Sequence, residues 1–119
     1  MQTFNNTLLA NDKSRIEEVK SYINANLNVD LHESVLARKF GYSRSTLKRH
    51  FYSCFSESIH HYILRYRMET AKKMLIEHVG TVAEVGELVG YYNGSAFTRS
   101  FKQFFGFSPI HLFRKQISF

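Results

Sequence analysis

Residues 41–55 read G-Y-S-R-S-T-L-K-R-H-F-Y-S-C-F, and residues 90–105, G-Y-Y-N-G-S-A-F-T-R-S-F-K-Q-F-F, repeat the same plan. Each copy begins with Gly-Tyr and a short polar turn and continues into a helical pattern whose apolar residues recur at i, i+4, i+7 and i+8. On a helix that advances about 100° per residue, these positions form one stripe that faces a core. The stripe consists of Leu47, Phe51, Cys54 and Phe55 in the first copy and of Phe97, Phe101, Phe104 and Phe105 in the second.

The opposite face of each predicted helix is polar and basic. Arg49 and Arg99 occupy the same station in the two copies, and neither outward face contains a carboxylate. The flanking residues are Ser45, Lys48 and Tyr52 in the first copy and Ser95, Thr98 and Lys102 in the second. A helix, a glycine turn and an amphipathic helix with a basic outer face are typical of a helix-turn-helix, whose second helix enters the DNA major groove. The sequence therefore predicts two DNA-reading helices.

The charge distribution supports a polyanionic partner. The chain has 119 residues and a formal charge of +6, but residues 1–34 contain three Lys or Arg and five Asp or Glu, whereas residues 35–119 contain thirteen and five. The basic part therefore begins where the first copy begins, which favours nucleic acid. The alternative that charge alone leaves open is a basic domain whose lysines and arginines are merely solvated.

Several other classes of protein are disfavoured by composition. With 44% hydrophobic and 22% charged residues, most of the chain is expected to be folded as one globular domain or two very small ones. One cysteine excludes an intramolecular disulfide, and Cys54 is predicted to be a buried structural thiol. No apolar run reaches the roughly 18 residues of a membrane helix, and no signal peptide is recognisable, so a cytoplasmic protein is expected.

The apolar periodicity predicts an all-α fold of seven helices. Their expected ranges are about 13–26, 32–40, 44–55, 56–77 with a start at Ser56 or Ser58, 81–89, 94–105 and 110–116. We divide the chain into an N-terminal tail (1–12), a first helix-turn-helix subdomain (13–56), a linker helix (57–77) and a second helix-turn-helix subdomain (78–119). The linker of about 20 residues would be roughly 30 Å long, close to the about 34 Å between successive major-groove segments on one face of DNA.

Local signals predict where these helices begin and end. Ser14 with Glu17 and Thr81 with Glu84 have the spacing of a capping box, and Ser43 is expected to cap the third helix. The cap of the second helix is left open between Asp30 and His32. Gly41 is expected to end the second helix in a left-handed conformation. Ser108 and Pro109 are expected to start the seventh helix.

The motifs G-Y-S-x-x-x-L-x-R-x-F at 41–51 and G-Y…F-x-R-x-F-K-x-F-F-G-x-S-P at 90–109 resemble the DNA-binding domain of the AraC/XylS family of bacterial transcription regulators. The resemblance covers roughly residues 16–114, and Arg67-Met68 with Ala71 and Leu75 also match the connecting-helix pattern of this family. It implies that one monomer binds one asymmetric double-stranded DNA site of about two turns and inserts its two reading helices into successive major-groove segments.

The resemblance also implies roles for individual residues. Base-edge contacts are expected from Ser45, Lys48 and Arg49 in the first copy and from Gly94, Ser95, Thr98 and Arg99 in the second. Ser43, Arg44, Lys102 and Lys39 are expected to contact phosphates, which position a protein without reading sequence. Each arginine has the fork that guanine O6 and N7 accept, a contact that discriminates by about 1–3 kcal/mol.

Two departures from the family pattern concern the second copy. Residues 94–96 are Gly-Ser-Ala where many relatives have longer polar side chains, so this helix is expected to read few bases. Gly86 replaces the usual alanine and is expected to cost about 1 kcal/mol of helix stability. The second subdomain is therefore predicted to be the softer one.

Two further hypotheses compete with DNA binding. A catalytic or metal site would use the six histidines, but these lack ligand spacing and Cys54 has no cysteine partner, so we expect no enzyme, no metal and no cofactor. The histidines are His32, His50, His60, His61, His78 and His111. The other hypothesis is a protein-interaction role, in which Glu17, Glu18, Glu84 and Glu87 contact RNA polymerase or a partner domain. The family usually joins this module to a sensing or dimerising domain, so we expect a monomeric C-terminal piece of a larger regulator, or else a complete small one.

Overall fold

The computed structural model describes residues 10–112, with only the backbone at residue 10. The described chain contains the helices α1 (Ala10–Ala25), α2 (Glu33–Phe40), α3 (Arg44–Phe55), α4 (Ile59–Ile76), α5 (Val82–Leu88) and α6 (Gly94–Phe105). Residues 109–112 are also helical and begin the predicted seventh helix, whose remaining residues lie outside the described part. No strand occurs between residues 10 and 112. The predicted all-α fold is therefore confirmed.

The predicted start of the first helix is wrong. The helix α1 begins at Ala10, so Ser14 lies inside it and the predicted Ser14–Glu17 capping box does not form. Residues 10–12, which we assigned to the tail, are helical. Asp12 stands in the first turn, where a carboxylate is favoured by the helix dipole, and it pairs with Arg15 at 3.2 Å.

The helix α4 begins at Ile59, and of the two predicted starts only Ser58 agrees with the structure. Ser56 adopts φ 57° and ends α3, because its backbone N–H donates to the carbonyl oxygen of Tyr52. The Ser58 hydroxyl accepts a hydrogen bond from the backbone N–H of His61 at 3.1 Å. Ser58 thus satisfies one of the donors that a helix start leaves open.

The caps of α2 and α5 show how short polar side chains set helix boundaries. His32 is the N-cap of α2, and its imidazole accepts from the backbone N–H of Ser34 at 3.2 Å. Asp30, the other candidate, instead accepts from the backbone N–H of His32. The predicted Thr81–Glu84 capping box is present in α5, with reciprocal bonds of 3.1 and 2.9 Å.

The described chain forms two compact units. The first contains residues up to 26 together with 30–63, and the second contains residues 27–29 together with those from 64 onward. Each has its own core. Fully buried side chains of the first unit include Ile16, Val19, Ile23, Leu36, Leu47, Phe51 and Ile59, and those of the second include Met68, Leu75, Val85, Val89, Phe97 and Phe101.

The two predicted apolar stripes face these cores. Leu47 and Phe51 of α3 and Phe97 and Phe101 of α6 are fully buried. The last two stripe positions of each helix are half-buried, and they include Cys54, so this thiol is less enclosed than predicted. The register of α3 and α6 is nevertheless the predicted one, which leaves their polar faces outward.

No helix in the described part of the chain is both long and apolar enough to cross a membrane.

Candidate nucleic-acid interface

An arginine of α1 contacts the turn between α2 and α3. Gly41 adopts φ 75°, the left-handed conformation predicted for it, and Ser43 caps α3 by accepting from the backbone N–H of Thr46 at 3.2 Å. The Arg15 guanidinium lies 4.2 Å from the centre of the buried Tyr42 ring and donates to the carbonyl oxygen of Gly41 at 3.3 Å. Arg15 therefore stabilises the turn that precedes α3.

The three predicted base readers of the first unit lie together on the outer face of α3. Ser45, Lys48 and Arg49 are exposed, and Tyr52 is 61% exposed. They line an open groove of about 400 Å³. Its lining residues are Glu33, Ser45, Lys48, Arg49, Tyr52, Ser58 and Ile59. The groove combines an aromatic and aliphatic wall with hydrogen-bond donors, which suits the edge of a base.

Glu33 places a carboxylate at this face, which sequence reasoning missed. The Glu33 Oε1 atom lies 3.3 Å from Arg44 Nη2 and 3.9 Å from Lys48 Nζ. The face of α3 itself contains no carboxylate, as predicted, but α2 supplies one from eleven residues away. The only local signal was that Glu33 stands in the first turn of a helix that ends at the reading helix.

The predicted phosphate ligands of the first unit differ in the interactions that they already make within the protein. The Ser43 hydroxyl donates to Thr46 Oγ1 at 2.9 Å in addition to its capping role. The Lys39 ammonium lies 4.8 Å from the centre of the Tyr22 ring. Arg44 has the carboxylate partner described above but keeps 59% of its side chain exposed.

His50 lies behind the reading face, edge-on to the Tyr42 ring at 5.7 Å between centroids. Its Nδ1 atom is buried and has no hydrogen-bond partner within residues 10–112. Burial, and then the nearby Arg49 charge, lower the pKa of His50 below its ordinary value. The imidazole is therefore held neutral more strongly than in the unfolded chain.

The second unit repeats the arrangement with shorter side chains. Asn93 caps α6 by accepting from the backbone N–H of Ala96 at 3.1 Å. Gly94, Ser95 and Arg99 are exposed on the outer face of α6, whereas Thr98 is half-buried. Lys102, the predicted phosphate ligand of this helix, is also exposed. Arg99 is thus the longest hydrogen-bond donor among the predicted readers of the second unit.

A second buttressing arginine lies under the turn before α6. The Arg67 guanidinium of α4 donates to the carbonyl oxygen of Leu27 through Nε at 3.2 Å and Nη2 at 2.9 Å, and Nη2 also donates to that of Val29 at 3.0 Å. Gly90, with φ 100°, packs directly against these groups. The family resemblance includes Arg67 but assigns it no role. Its partners are about 40 residues away in the sequence, so a local pattern does not reveal them.

No group of three or more His, Cys, Asp or Glu side chains in the described part of the chain is placed to hold a metal ion.

The helix-turn-helix domain family matches residues 36–115 of the chain, which include both units' reading helices. The chain belongs to this family of AraC/XylS-type helix-turn-helix domains. The family is one of DNA-binding domains of transcriptional regulators and not a class of enzymes.

Relatives and solved structures of this AraC/XylS-type domain agree with that assignment. The Msm operon regulatory protein of Streptococcus mutans is 34% identical over 105 residues, which are 88% of this chain and 37% of that protein. The C-terminal domain of AraT, a response regulator from Geobacillus stearothermophilus, superposes with a TM-score of 0.80 at 25% identity and covers 88% of each chain. The DNA-binding domain of AdpA, solved in complex with a target DNA, has the same fold, with a TM-score of 0.77 at 23% identity over 87% of this chain and 96% of that one.

The domain spans only part of its curated relatives, 37% of the Streptococcus mutans protein and 44% of the probable transcriptional regulator LumQ of Photobacterium leiognathi. The activities and partners of such longer proteins therefore do not transfer to this chain by similarity alone.

Proposed function

We propose that this domain binds double-stranded DNA sequence-specifically through α3 and α6 and thereby regulates transcription. One observation carries the proposal. In each of two separately cored units, the reading helix buries its aromatic or aliphatic stripe and leaves an exposed arginine, Arg49 or Arg99, at the same station of its outer face. If these arginines were only solvated surface charges, an arginine would not be expected at the equivalent helix position in both units. The DNA-bound structure of the AdpA domain, which has the same fold, supports the same partner.

The finer assignment follows the domain's own side chains. Ser45, Lys48 and Arg49 on α3, and Ser95, Thr98 and Arg99 on α6, read base edges in two successive major-groove segments. Phosphates are bound by Ser43, Arg44, Lys39 and Lys102. One copy of the domain occupies an asymmetric site of about two turns. Its two binding subdomains are 13–56 and 78–119, joined by the linker helix 57–77, and of the tail 1–12 the residues 10–12 belong to α1. The two compact units divide the linker between residues 63 and 64, so their bounds differ from those of the subdomains.

The two units contribute unequally in this proposal. On α3, Lys48 and Arg49 are long donors above a groove of about 400 Å³, which suits direct readout of several bases. On α6, the residues nearest its N-terminus are Gly94 and Ser95, so Arg99 dominates direct readout there. The second unit then relies more on phosphates and on DNA shape.

Selection of bound duplexes from a random pool, followed by affinity measurements on the winning sequence, tests the proposal. We expect Arg49→Ala and Arg99→Ala each to weaken binding by about 5- to 150-fold, the equivalent of about 1–3 kcal/mol per bidentate contact, and to relax the preference at different positions of the site. Arg38→Ala is the matched control, because Arg38 is exposed on α2 outside both reading helices.

The assignment fails if both arginine variants leave the affinity and the preferred bases unchanged. A pool without an enriched sequence would reject specific binding while leaving non-specific DNA binding open.

A protein-interaction role is the second candidate. Exposed Leu88 lies on α5 next to exposed Glu87, and Glu17 and Glu18 are exposed on α1, so RNA polymerase or a partner domain has surfaces to contact. The Glu84 carboxylate, also a candidate, is occupied by the backbone N–H of Thr81. Duplex affinity that falls steeply with salt favours DNA as the main partner, because each neutralised phosphate releases counterion.

A further inference from the structure

Among residues 10–112, Glu33 is the one acidic side chain that lines the groove beside the proposed base readers. It is the first residue of α2, and 19% of its side chain is exposed. Its Oε1 atom lies 3.3 Å from the Arg44 guanidinium and 3.9 Å from the Lys48 ammonium, and both of these cations project from α3 with more than half of their side chains exposed.

A carboxylate at this place opposes DNA binding in two ways. It partly neutralises two cations before any DNA arrives, and it repels the phosphates that approach them. A glutamate in the first turn of a helix is favoured by the helix dipole, but that effect is satisfied by a carboxylate that faces solvent. The contact with two cations of the reading helix therefore has a consequence beyond the stability of α2.

We propose that Glu33 is a specificity-determining residue, which pairs with Arg44 and with the groove-lining Lys48 and competes with DNA phosphates for both cations. This inference rests on the proposed function. On a non-specific duplex, the two cations must leave the carboxylate to reach phosphates, and that loss weakens binding. On the correct site, Lys48 contacts a base edge while it remains beside Glu33. Less of the ion-pair energy is then lost than on a non-specific duplex.

Glu33 thus increases the ratio of specific to non-specific affinity by disfavouring the wrong partner, which is how many recognition surfaces obtain specificity. Because exposed ion pairs are individually weak, the two pairs together are expected to change non-specific affinity by about two- to tenfold. Each additional phosphate contact that becomes available is expected to steepen the dependence of log affinity on log salt by about 0.9.

The test compares the wild-type chain, Glu33→Gln and Glu77→Gln on two fluorescent duplexes, the selected sequence and a scrambled one of equal composition. Affinity is measured by anisotropy at several KCl concentrations from about 50 to 200 mM. Glu33→Gln keeps the size and an acceptor oxygen of the side chain but removes its charge. Glu77→Gln is the control for net charge, because Glu77 is exposed directly after α4 and outside the proposed interface.

We expect Glu33→Gln to bind the scrambled duplex about two- to tenfold more tightly, with a steeper salt dependence, and to gain less on the selected duplex. Glu77→Gln is expected to change both duplexes equally and by less. In a Lys48→Met background, the effect of Glu33→Gln on the scrambled duplex should shrink, because one of its two partners is absent.

Three results would overturn the inference while leaving the proposed function intact, provided that the wild type prefers the selected duplex. In the first, Glu33→Gln leaves both the ratio of selected to scrambled affinity and the salt dependence unchanged but lowers the melting temperature. Glu33 would then only stabilise the start of α2. In the second, Glu33→Gln lowers the affinity only for duplexes that contain one particular base pair. The carboxylate would then be a base reader that accepts a hydrogen bond from cytosine N4. The third is an equal effect of Glu77→Gln. A wild type that binds neither duplex would instead reject the proposed function itself.

Discussion

Replacing Gly90 by alanine would place a methyl group where the structure has no room for it. A Cβ atom built on Gly90 lies 2.4 Å from the carbonyl oxygen of Leu27 and 2.8 Å from Arg67 Nη2. Non-bonded heavy atoms prefer separations of about 3.5–4.0 Å, so the backbone at Leu27 must move by about 1 Å and the guanidinium must shift as well. Either movement disturbs the two hydrogen bonds that Arg67 donates to that carbonyl.

The expected loss of stability has two sources. Gly90 adopts φ 100°, and a side chain in such a sparsely populated conformation costs about 1–3 kcal/mol. Hydrogen bonds to a charged group contribute about 1.5–3 kcal/mol each, and at least one of the Arg67 bonds to Leu27 is lost. We therefore expect Gly90→Ala to lower the free energy of unfolding by about 2.5–6 kcal/mol, a large share of the about 5–15 kcal/mol typical of a domain.

Urea unfolding followed by circular dichroism at about 25 °C measures this loss, and two other glycines serve as controls. Gly106 also has a positive φ, 87°, but a Cβ there meets no described heavy atom within 4 Å, so Gly106→Ala isolates the conformational cost of about 1–3 kcal/mol. Gly94 opens α6 with similar free space in the described structure, and Gly94→Ala is expected to stabilise by about 0.4–1 kcal/mol.

Equal losses for Gly90→Ala and Gly106→Ala would refute the contact argument, since only the first variant has atoms to displace. A second check uses Arg67→Met as background. If the clash with the guanidinium and the loss of its hydrogen bonds are the cause, Gly90→Ala must cost less there than in the wild type.

Three further predictions concern single side chains. Thr81→Ala should lower the free energy of unfolding by about 1 kcal/mol in urea titrations, because the hydroxyl caps α5 through the backbone N–H of Glu84. The pKa of His50 is lower in the folded state than its ordinary value of 6.5, so the unfolded chain takes up the proton first as the pH falls below 6.5, and stability should decrease there. His50→Gln should remove that part of the pH dependence of the urea midpoint, whereas an unchanged profile would contradict the assignment. Phe101→Ala should cost about 3–5 kcal/mol in thermal or urea unfolding, because the ring is fully buried and packs edge-on against Phe107.

Local sequence signals were sufficient for the two reading helices. The predicted bounds of α3 and α6 agree with the structure, and they follow from apolar periods within each segment and from the predicted cap Ser43 before α3. The start of α1 was wrong because Ser14 and Glu17 have capping-box spacing inside an uninterrupted helix. A local pattern predicts a boundary only when nothing upstream continues the helix.

The residues that sequence reasoning missed act through contacts between distant parts of the chain. Arg15 reaches the carbonyl oxygen of Gly41 across 26 residues, and Arg67 reaches that of Leu27 across 40. Glu33 meets Arg44 from another helix. No periodicity or spacing within one segment encodes such partners, although each of these residues shapes the surface that we propose for DNA.

Gly86 has a packing role that the local propensity rule does not describe. From the sequence, glycine in the middle of α5 costs about 1 kcal/mol relative to alanine, which predicted a softer unit. In the structure, Gly86 is buried, and a Cβ there would lie 3.0–3.3 Å from three atoms of Phe97. Phe97 is itself fully buried, and its ring centroid lies 5.6 Å from that of Tyr91 and 5.9 Å from that of Phe101.

A Cβ atom at position 86 would therefore require the ring of Phe97 to shift by a few tenths of an ångström within its aromatic contacts. Alanine at position 86 would gain helix propensity but crowd the contact that α5 makes with Phe97 of α6. The absent methyl group sets how closely these two helices pack, and with it the placement of Arg99 within its own unit. The glycine that lowers the propensity of α5 is thus part of what positions the second proposed reader, and a more stable α5 need not give a better DNA-binding surface.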